Sequence, residues 1–329
     1  MTLPILKKEN AIAQVAARYA VAITPDMAAL IDETDPNDPI ARQFVPSEAE
    51  LITTPEELSD PIGDEKHSPV PGIVHRYPDR VLFKPVHVCP VYCRFCFRRE
   101  MVGPGGEAAL SPQAFDKAFA YVAAHPEIRE IIVTGGDPFI LTARRAAEIS
   151  ARASAILHIK TLRWHTRVPV VEPARITEEF VAAIKLKTGE TRVAIHANHP
   201  RELTEAARAA CARLSNAGIA LLSQSVLLKG VNDNVDTLEV LMRAFVEIGI
   251  KPYYLHHPDL APGTSHFRVS IAQGQALMRE LRRRISPTPD YVLDIPGGFA
   301  KVSLMSDNVI ELDDGWRVRD PSGVWHDYR

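Results

Sequence analysis

No stretch of this sequence is apolar for long enough to cross a bilayer, and the N-terminus MTLPILKKENAIAQ lacks the apolar run and cleavage site of a secretory signal. A net charge of −3 gives no global attraction to nucleic acid or to an anionic membrane. Internal repeats and low-complexity segments are absent. Cysteine is sparse: there are four, and three of them crowd into the stretch CPVYCRFC, an odd number that does not suit disulfides. The expected compartment is the cytosol, where thiols stay reduced and a cysteine cluster points to metal.

What is present has the composition of an ordinary soluble enzyme, 46% hydrophobic and 24% charged. Residues 1–72 read as a mostly helical, partly irregular extension, with helical patches at Glu9–Tyr19, Asp26–Asp32 and Ser47–Leu51 between acidic, proline-bearing turns. From residue 73 to 295 short apolar runs alternate with amphipathic ones: VLFKPVHV, EIIVTG, HIKTLRWH, TRVAIHA, IALLSQSVL and KPYYLH, then a seventh run, YVLDI. Helix starts are expected near Ser111, Thr142, Thr177, Arg201, Asn234 and Ser270. Strand alternating with helix implies parallel βαβ units, so the predicted fold is α/β, a partial TIM-type (β/α)6 barrel. Residues 296–329 read as a C-terminal segment ending in a β cap, a strand pair around Asp314-Gly315 and a final turn.

A parallel barrel carries its chemistry at the C-terminal ends of its strands. The runs end in Cys89, Cys93 and Cys96; in Thr134-Gly135-Gly136-Asp137; in His165 and Arg167; in His196, Asn198 and His199; in Gln224 and Ser225; in His256, His257 and Asp259; and in Asp294. The opposite connections hold plain turn signals such as Asn216-Ala-Gly218. This one-sided enrichment predicts a single central site.

Three thiols on one loop are one short of a closed zinc site. Cys211, in the middle of the helical stretch AARAACARLS, is expected to be buried and inert. Three thiolates can hold a [4Fe–4S] cluster with one iron left open. Near the C-terminus, DIPGGFAK delivers Lys301 from a proline and two glycines, and an amine held in a partly desolvated site can form a Schiff base.

The spacing Cys89-x3-Cys93-x2-Cys96 after the first barrel strand resembles the radical S-adenosylmethionine (SAM) superfamily. HRYPDRVL, CPVYCRFCFRR, HANHP, QSVLLKGVND, KPYYLHHPDLAPGTSHFR and DIPGGFAK, in that order, resemble the lysine 2,3-aminomutase family, in particular its short bacterial forms that supply β-lysine for elongation factor P. The resemblance implies an isomerase that moves the α-amino group of L-lysine to the β-carbon, by a 5′-deoxyadenosyl radical and a pyridoxal phosphate (PLP) aldimine. It implies a [4Fe–4S] cluster on Cys89, Cys93 and Cys96. Thr134, Gly135, Gly136, Asp137, His196 and Gln224 would contact SAM. Lys301 would hold PLP as the internal aldimine, with Arg80 and Arg76 helping. Arg98 would take the substrate α-carboxylate, and Asp259 and Asp294 its ε-ammonium. Two carboxylates facing one cation favour lysine over glutamate.

Further expectations follow from the same resemblance. A reducing electron donor is needed, and a downstream β-lysine ligase is a candidate partner. No nucleic acid or membrane is expected, and a homo-oligomer is left open. Zinc is not expected, because GVNDNVD carries no cysteine where longer family members do. Phe95 replaces a familiar histidine and can still stack on adenine. Two alternatives stay open: a related mutase acting on another diamino acid such as arginine, and a non-catalytic metal-binding scaffold. Arg94 and Arg99 have no assigned role.

Overall fold

The computed structural model describes residues 3–103 and 107–329. The N-terminal extension is short-helical, as α1 (Leu3–Arg18), α2 (Pro25–Ala28) and α3 (Ala41–Phe44) with a 3-10 turn at Glu48–Leu51. Local capping explains two of these starts. The Thr24 hydroxyl accepts from the Met27 N–H, and Ser47 and Glu50 satisfy one another's backbone in a capping box. The extension lies across the barrel rather than apart from it. Tyr92 N–H donates to the Ala22 carbonyl, Arg94 N–H to Gln43, Leu58 N–H to Leu260 and Gly297 N–H to Pro61. Each contact falls on a loop at the C-terminal end of a barrel strand, so the extension roofs the predicted active face.

β1 (Ile73–Tyr77) and β2 (Arg80–Val86) form an antiparallel hairpin with Tyr77 opposite Arg80 across Pro78-Asp79. β1 is not among the expected strands. Parallel pairing then runs in sequence order through β3 (Glu130–Gly135), β4 (Thr161–Thr166), β5 (Glu190–His196), β6 (Ala220–Val226), β7 (Ile250–His256) and β8 (Asp290–Asp294). β9 (Lys301–Ser303) turns back antiparallel on β8. The curved sheet therefore stays open, with β1 and β9 at its edges.

Helices α4 (Pro112–Ala124), α5 (Ala143–Ala155), α6 (Val168–Val171), α7 (Glu178–Ala183), α8 (Glu205–Asn216), α9 (Val235–Glu247) and α10 (Ile271–Arg284) make the crossovers. Ser111, Thr142, Thr177, Thr204, Asn234 and Ser270 cap α4, α5, α7, α8, α9 and α10. The start expected near Arg201 lies instead at Thr204, because Pro200–Glu202 forms a separate 3-10 turn. The tail is a three-stranded antiparallel sheet of β10 (Val309–Leu312), β11 (Gly315–Arg319) and β12 (Trp325–Tyr328). The expected final turn is thus a third strand, tied in by Val318 and Tyr328, which join the main core. Among the described residues no helix is long and apolar enough to cross a membrane.

The two-residue alternation of strands decides what faces the barrel interior. Val81 and Phe83, Ile131 and Val133, Leu162 and Trp164, Val193 and Ile195, and Tyr291 and Leu293 belong to the helix-facing core. The alternate positions near the strand ends are Lys84, Thr134, His165, His196, Gln224, His256 and Asp294. Apolar packing on one side of each strand therefore aims a polar residue inward on the other. Below this layer, Arg163 and Glu130 pair at 2.7 Å and close the floor.

Candidate active site

The cysteine loop follows β2 and is held from outside itself. Glu50, fully buried, accepts from Arg94 Nε at 3.0 Å and also from the Arg99 guanidinium. These are the two arginines that the motif alone left without a role. They clamp the loop to the N-terminal extension, and Arg99 stacks over Tyr19 at 3.5 Å. Glu50→Gln is expected to cost about 3–5 kcal/mol of folding stability, because it leaves two buried cations without their counter-charge. Denaturant unfolding at neutral pH would check this.

All three thiols of the loop are free. Burial pushes Cys89 well above the ordinary thiol range, assisted by Asp137 and the other two cysteines; burial and Cys93 push Cys96 up to about 11. Thiols close enough to raise one another ionise together only when a metal centre compensates them. Among the described residues no three His, Cys, Asp or Glu side chains are arranged to hold one metal ion. Three thiols on one loop fit a [4Fe–4S] cluster that leaves one iron open. Cys211, in α8, is fully buried, and burial lifts it to about 12, well away from this chemistry.

The Thr134–Asp137 edge lies against the start of the same loop. A Cβ on Gly135, whose φ is +117°, would meet the Val86 carbonyl at 2.4 Å, and one on Gly136 would meet the Val88 carbonyl at 2.2 Å. The crowding that requires glycine here comes from the chain entering the cysteine loop. Gly136 and Asp137 donate their N–H groups to those two carbonyls. The Asp137 carboxylate is turned away, accepting from the Thr166 hydroxyl at 2.7 Å and Arg167 N–H at 2.7 Å. His196 and Gln224 are register partners at the ends of β5 and β6. Burial, then Arg167, lowers His196 to about 3, so this imidazole is neutral and packs edge-on against Phe95 at 5.6 Å.

A continuous array of charge occupies the interior. Lys301 Nζ pairs with Asp294 Oδ2 and lies 3.2 Å from His256 Nδ1. Arg76 Nη1 holds the other Asp294 oxygen at 3.2 Å, and its Nη2 reaches Asp64 Oδ1 at 4.0 Å. Asp64 Oδ2 accepts from Arg98 Nε at 3.0 Å and from Lys84 Nζ at 3.1 Å. Burial opposes ionisation of Asp64, but Arg98 and Lys84 outweigh it and hold the carboxyl at about 2. Asp259 shows the opposite balance. Burial, then the Asp294 carboxylate, push it up to about 7 against the pull of Lys301, Arg98 and Arg76. A cavity of about 220 Å³ opens beside Arg98, lined also by Lys84, His87, Met101, Glu107 and Gly135.

Among the described residues, four buried side-chain atoms in and around this array make no hydrogen bond: Asp64 Oδ1, Arg76 Nε, His165 Nε2 and His256 Nε2. Burial keeps both imidazoles well below their ordinary pKa, helped for His165 by Arg163, His256, Arg98 and Lys301, and for His256 by Lys301 and His196. Unmet buried groups of this kind fit a polar ligand in the barrel mouth.

Residues 83–241 match the Radical SAM superfamily model. The chain is 39% identical over 311 residues to the L-lysine 2,3-aminomutase of Clostridium subterminale, covering 94% of this chain and 74% of that protein. It is 38% identical over 288 residues to the L-lysine 2,3-aminomutase of Escherichia coli (strain K12), covering 87% and 83%. The chain belongs to the radical SAM family of lysine 2,3-aminomutases. A further relative is the glutamate 2,3-aminomutase of Clostridioides difficile (strain 630), 35% identical over 301 residues, covering 91% of this chain and 71% of that protein. Among solved structures, Streptococcus suis SuiB bound to its precursor peptide SuiA aligns with a TM-score of 0.51 at 12% identity, over 69% of this chain and 50% of that one, a likeness of fold.

Membership makes the chain an enzyme of the isomerase class and implies a [4Fe–4S] cluster, SAM and PLP, for which the free thiols and unmet buried polar atoms are suited. The structure gathers Lys301, Arg76, Arg98, Asp259 and Asp294 into one array. Arg80 stands at its margin: it pairs with Asp79 at 2.7 Å, stacks on Tyr77 at 3.9 Å, and meets Lys301 only through the Tyr77 hydroxyl, which accepts the Lys301 N–H at 2.7 Å. Asp64 and Lys84 were not among the expected site residues. A lysine inside the apolar run VLFKPV was a signal for Lys84, whereas nothing local in SDPIGDEKHSPVPG marks Asp64.

Proposed function

We propose that this chain converts L-lysine to β-lysine. The observation that carries the reading is the array's polarity. Arg98 stands at one end and two carboxylates, Asp259 and Asp294, at the other, with the Lys301 amine beside the latter. A substrate with a carboxylate at one end and an ammonium at the other matches that order; glutamate, with two carboxylates, would bring an anion to two anions.

Cys89, Cys93 and Cys96 would hold the cluster; the Thr134–Asp137 edge, His196 and Gln224 would border SAM; Lys301, with Arg76 and Arg80, would hold PLP. When bound, these groups supply a carbon radical and an electron sink conjugated to the substrate amine. The chain's own residues bind, orient and exclude water. The Arg98 guanidinium takes the α-carboxylate, its Nε fixed by Asp64 and its Nη1 3.4 Å from the Thr134 hydroxyl. Lys301 now sits where a substrate ammonium would meet Asp294. As the substrate arrives, Nζ is released toward His256 Nδ1, whose neutral imidazole can accept its hydrogen bond. The roof formed by the N-terminal extension keeps the site dry, which strengthens each of these pairings.

A low-potential electron donor in the cytosol belongs to this reading. So does delivery of the product to a ligase acting on elongation factor P, supported by the resemblance to short bacterial forms. The test is chiral product analysis of anaerobically reconstituted protein with lysine, glutamate or arginine as sole amino acid. β-Lysine from lysine alone is expected. Formation of β-glutamate, or consumption of arginine with lysine untouched, would overturn the assignment.

A further inference from the structure

We infer that Arg167 is a positioning residue of the iron–sulfur site, donating from Nη1 to the Cys93 sulfur and so easing one-electron reduction of the cluster. The inference rests on the cluster reading above. Arg167 follows β4 directly and is 5% exposed. Its backbone N–H is pinned to Asp137 Oδ2 at 2.7 Å, which fixes where the side chain starts. Its guanidinium is forked. Nη2 donates to Glu202 Oε2 and Gln43 Oε1, both at 2.6 Å, and Nη1 is turned onto Cys93 Sγ at 2.9 Å.

The anchoring pair does not cancel the cation at the sulfur. Glu202 also accepts from Gln43 Nε2 at 3.0 Å, Asn198 N–H at 3.0 Å and His199 N–H at 2.9 Å, so its charge is shared among several donors on the far side. Phe44 and Phe95 lie 4.5 Å and 5.6 Å from the guanidinium carbon, and such apolar walls lower the local dielectric. Reduction adds one electron, from an external low-potential donor, to a centre already carrying thiolate charge. A buried cation bonded to one of those sulfurs stabilises the reduced state more than the oxidised one and raises the potential. The network also crosses three elements, since Gln43 comes from the N-terminal extension, Arg167 from the end of β4 and Glu202 from the turn after β5. The placement of that donor thus depends on the roof being in position.

The test is a redox titration of the reconstituted full chain without SAM or substrate, read by the electron paramagnetic resonance signal of the reduced cluster, with iron counted in parallel. For Arg167→Gln the ratio of reduced to oxidised cluster at a fixed potential is expected to fall about tenfold, a shift of about 59 mV for a one-electron couple. Arg167→Lys keeps the charge but not the fork, and is expected to shift the same way by less; it carries the test if Arg167→Gln assembles no cluster. Glu202→Gln loosens the same network while leaving the sulfur donor, and is expected to leave the potential unchanged or higher. Unshifted potentials in both Arg167 variants, or an equal fall in Glu202→Gln, would overturn the role of Arg167. Wild-type protein that takes up no iron would instead overturn the cluster reading itself.

Discussion

Lys301→Ala is expected to lower β-lysine formation by about 10³-fold or more and to remove the yellow pyridoxal absorbance, while the brown iron–sulfur chromophore and the iron count stay as they were. The reason begins in the turn before β9. Gly297 and Gly298 have φ of +83° and +80°, and a Cβ on Gly298 would meet the Ile62 carbonyl at 2.9 Å. A Cβ on Gly63, in a turn of the extension, would meet Gly298 Cα at 2.7 Å. The two backbones therefore touch, and only glycine allows it. This contact and the Tyr77 hydroxyl fix the Lys301 backbone, so the amine is delivered to one place beside Asp294. Lys301→Arg separates the roles of the side chain. It retains a cation for Asp294 but offers no nucleophilic amine, so it should match the alanine variant in turnover and in lost absorbance. A pyridoxal band that persists in either variant would remove Lys301 from its assigned place.

Much of this site was legible because its signals are local. Cys89, Cys93 and Cys96 stand within one loop, and the barrel follows from short apolar runs alternating with longer amphipathic ones along the chain. Inward-facing residues such as His196, Gln224 and Asp294 follow from strand parity once the strands are drawn. The rest depends on contacts between segments far apart in the chain. Arg94 and Arg99 acquire a purpose only from Glu50, 44 and 49 residues earlier. Asp64, the acceptor shared by Lys84 and Arg98, lies in an acidic proline-rich stretch that resembles any solvated turn. The extension reads as irregular by composition, yet its buried acids are what hold the basic residues of the catalytic face. The Thr134–Asp137 edge shows the converse: the motif was legible, but the atoms that demand its glycines are the backbone of the neighbouring strand exit.

Asp294→Asn is expected to raise the KM for lysine about 10²-fold at pH 8, since it removes one of the two carboxylates proposed to face the substrate ammonium. The pH profile gives the sharper test. Burial, then the Asp294 charge, disfavour the ionised form of Asp259 and push it up to about 7. In the wild type, lysine affinity should therefore fall as pH drops through 7, where Asp259 takes up a proton and its charge is lost. With Asp294 neutral, one of the two raising causes is gone while burial remains, so the same fall should move to lower pH. Stability carries the opposite sign. Between the ordinary carboxyl value of 3.8 and about 7, the folded chain keeps a proton that the unfolded chain releases, so stability declines as pH rises through that window. Asp259→Asn, which cannot ionise, should therefore unfold at a temperature a few degrees above wild type at pH 8 and near wild type at pH 4, with lysine turnover lost at both. A variant less stable than wild type at pH 8 would mean that the Asp259 carboxylate is held by partners strong enough to offset its burial, and that the pair supports the fold rather than the substrate.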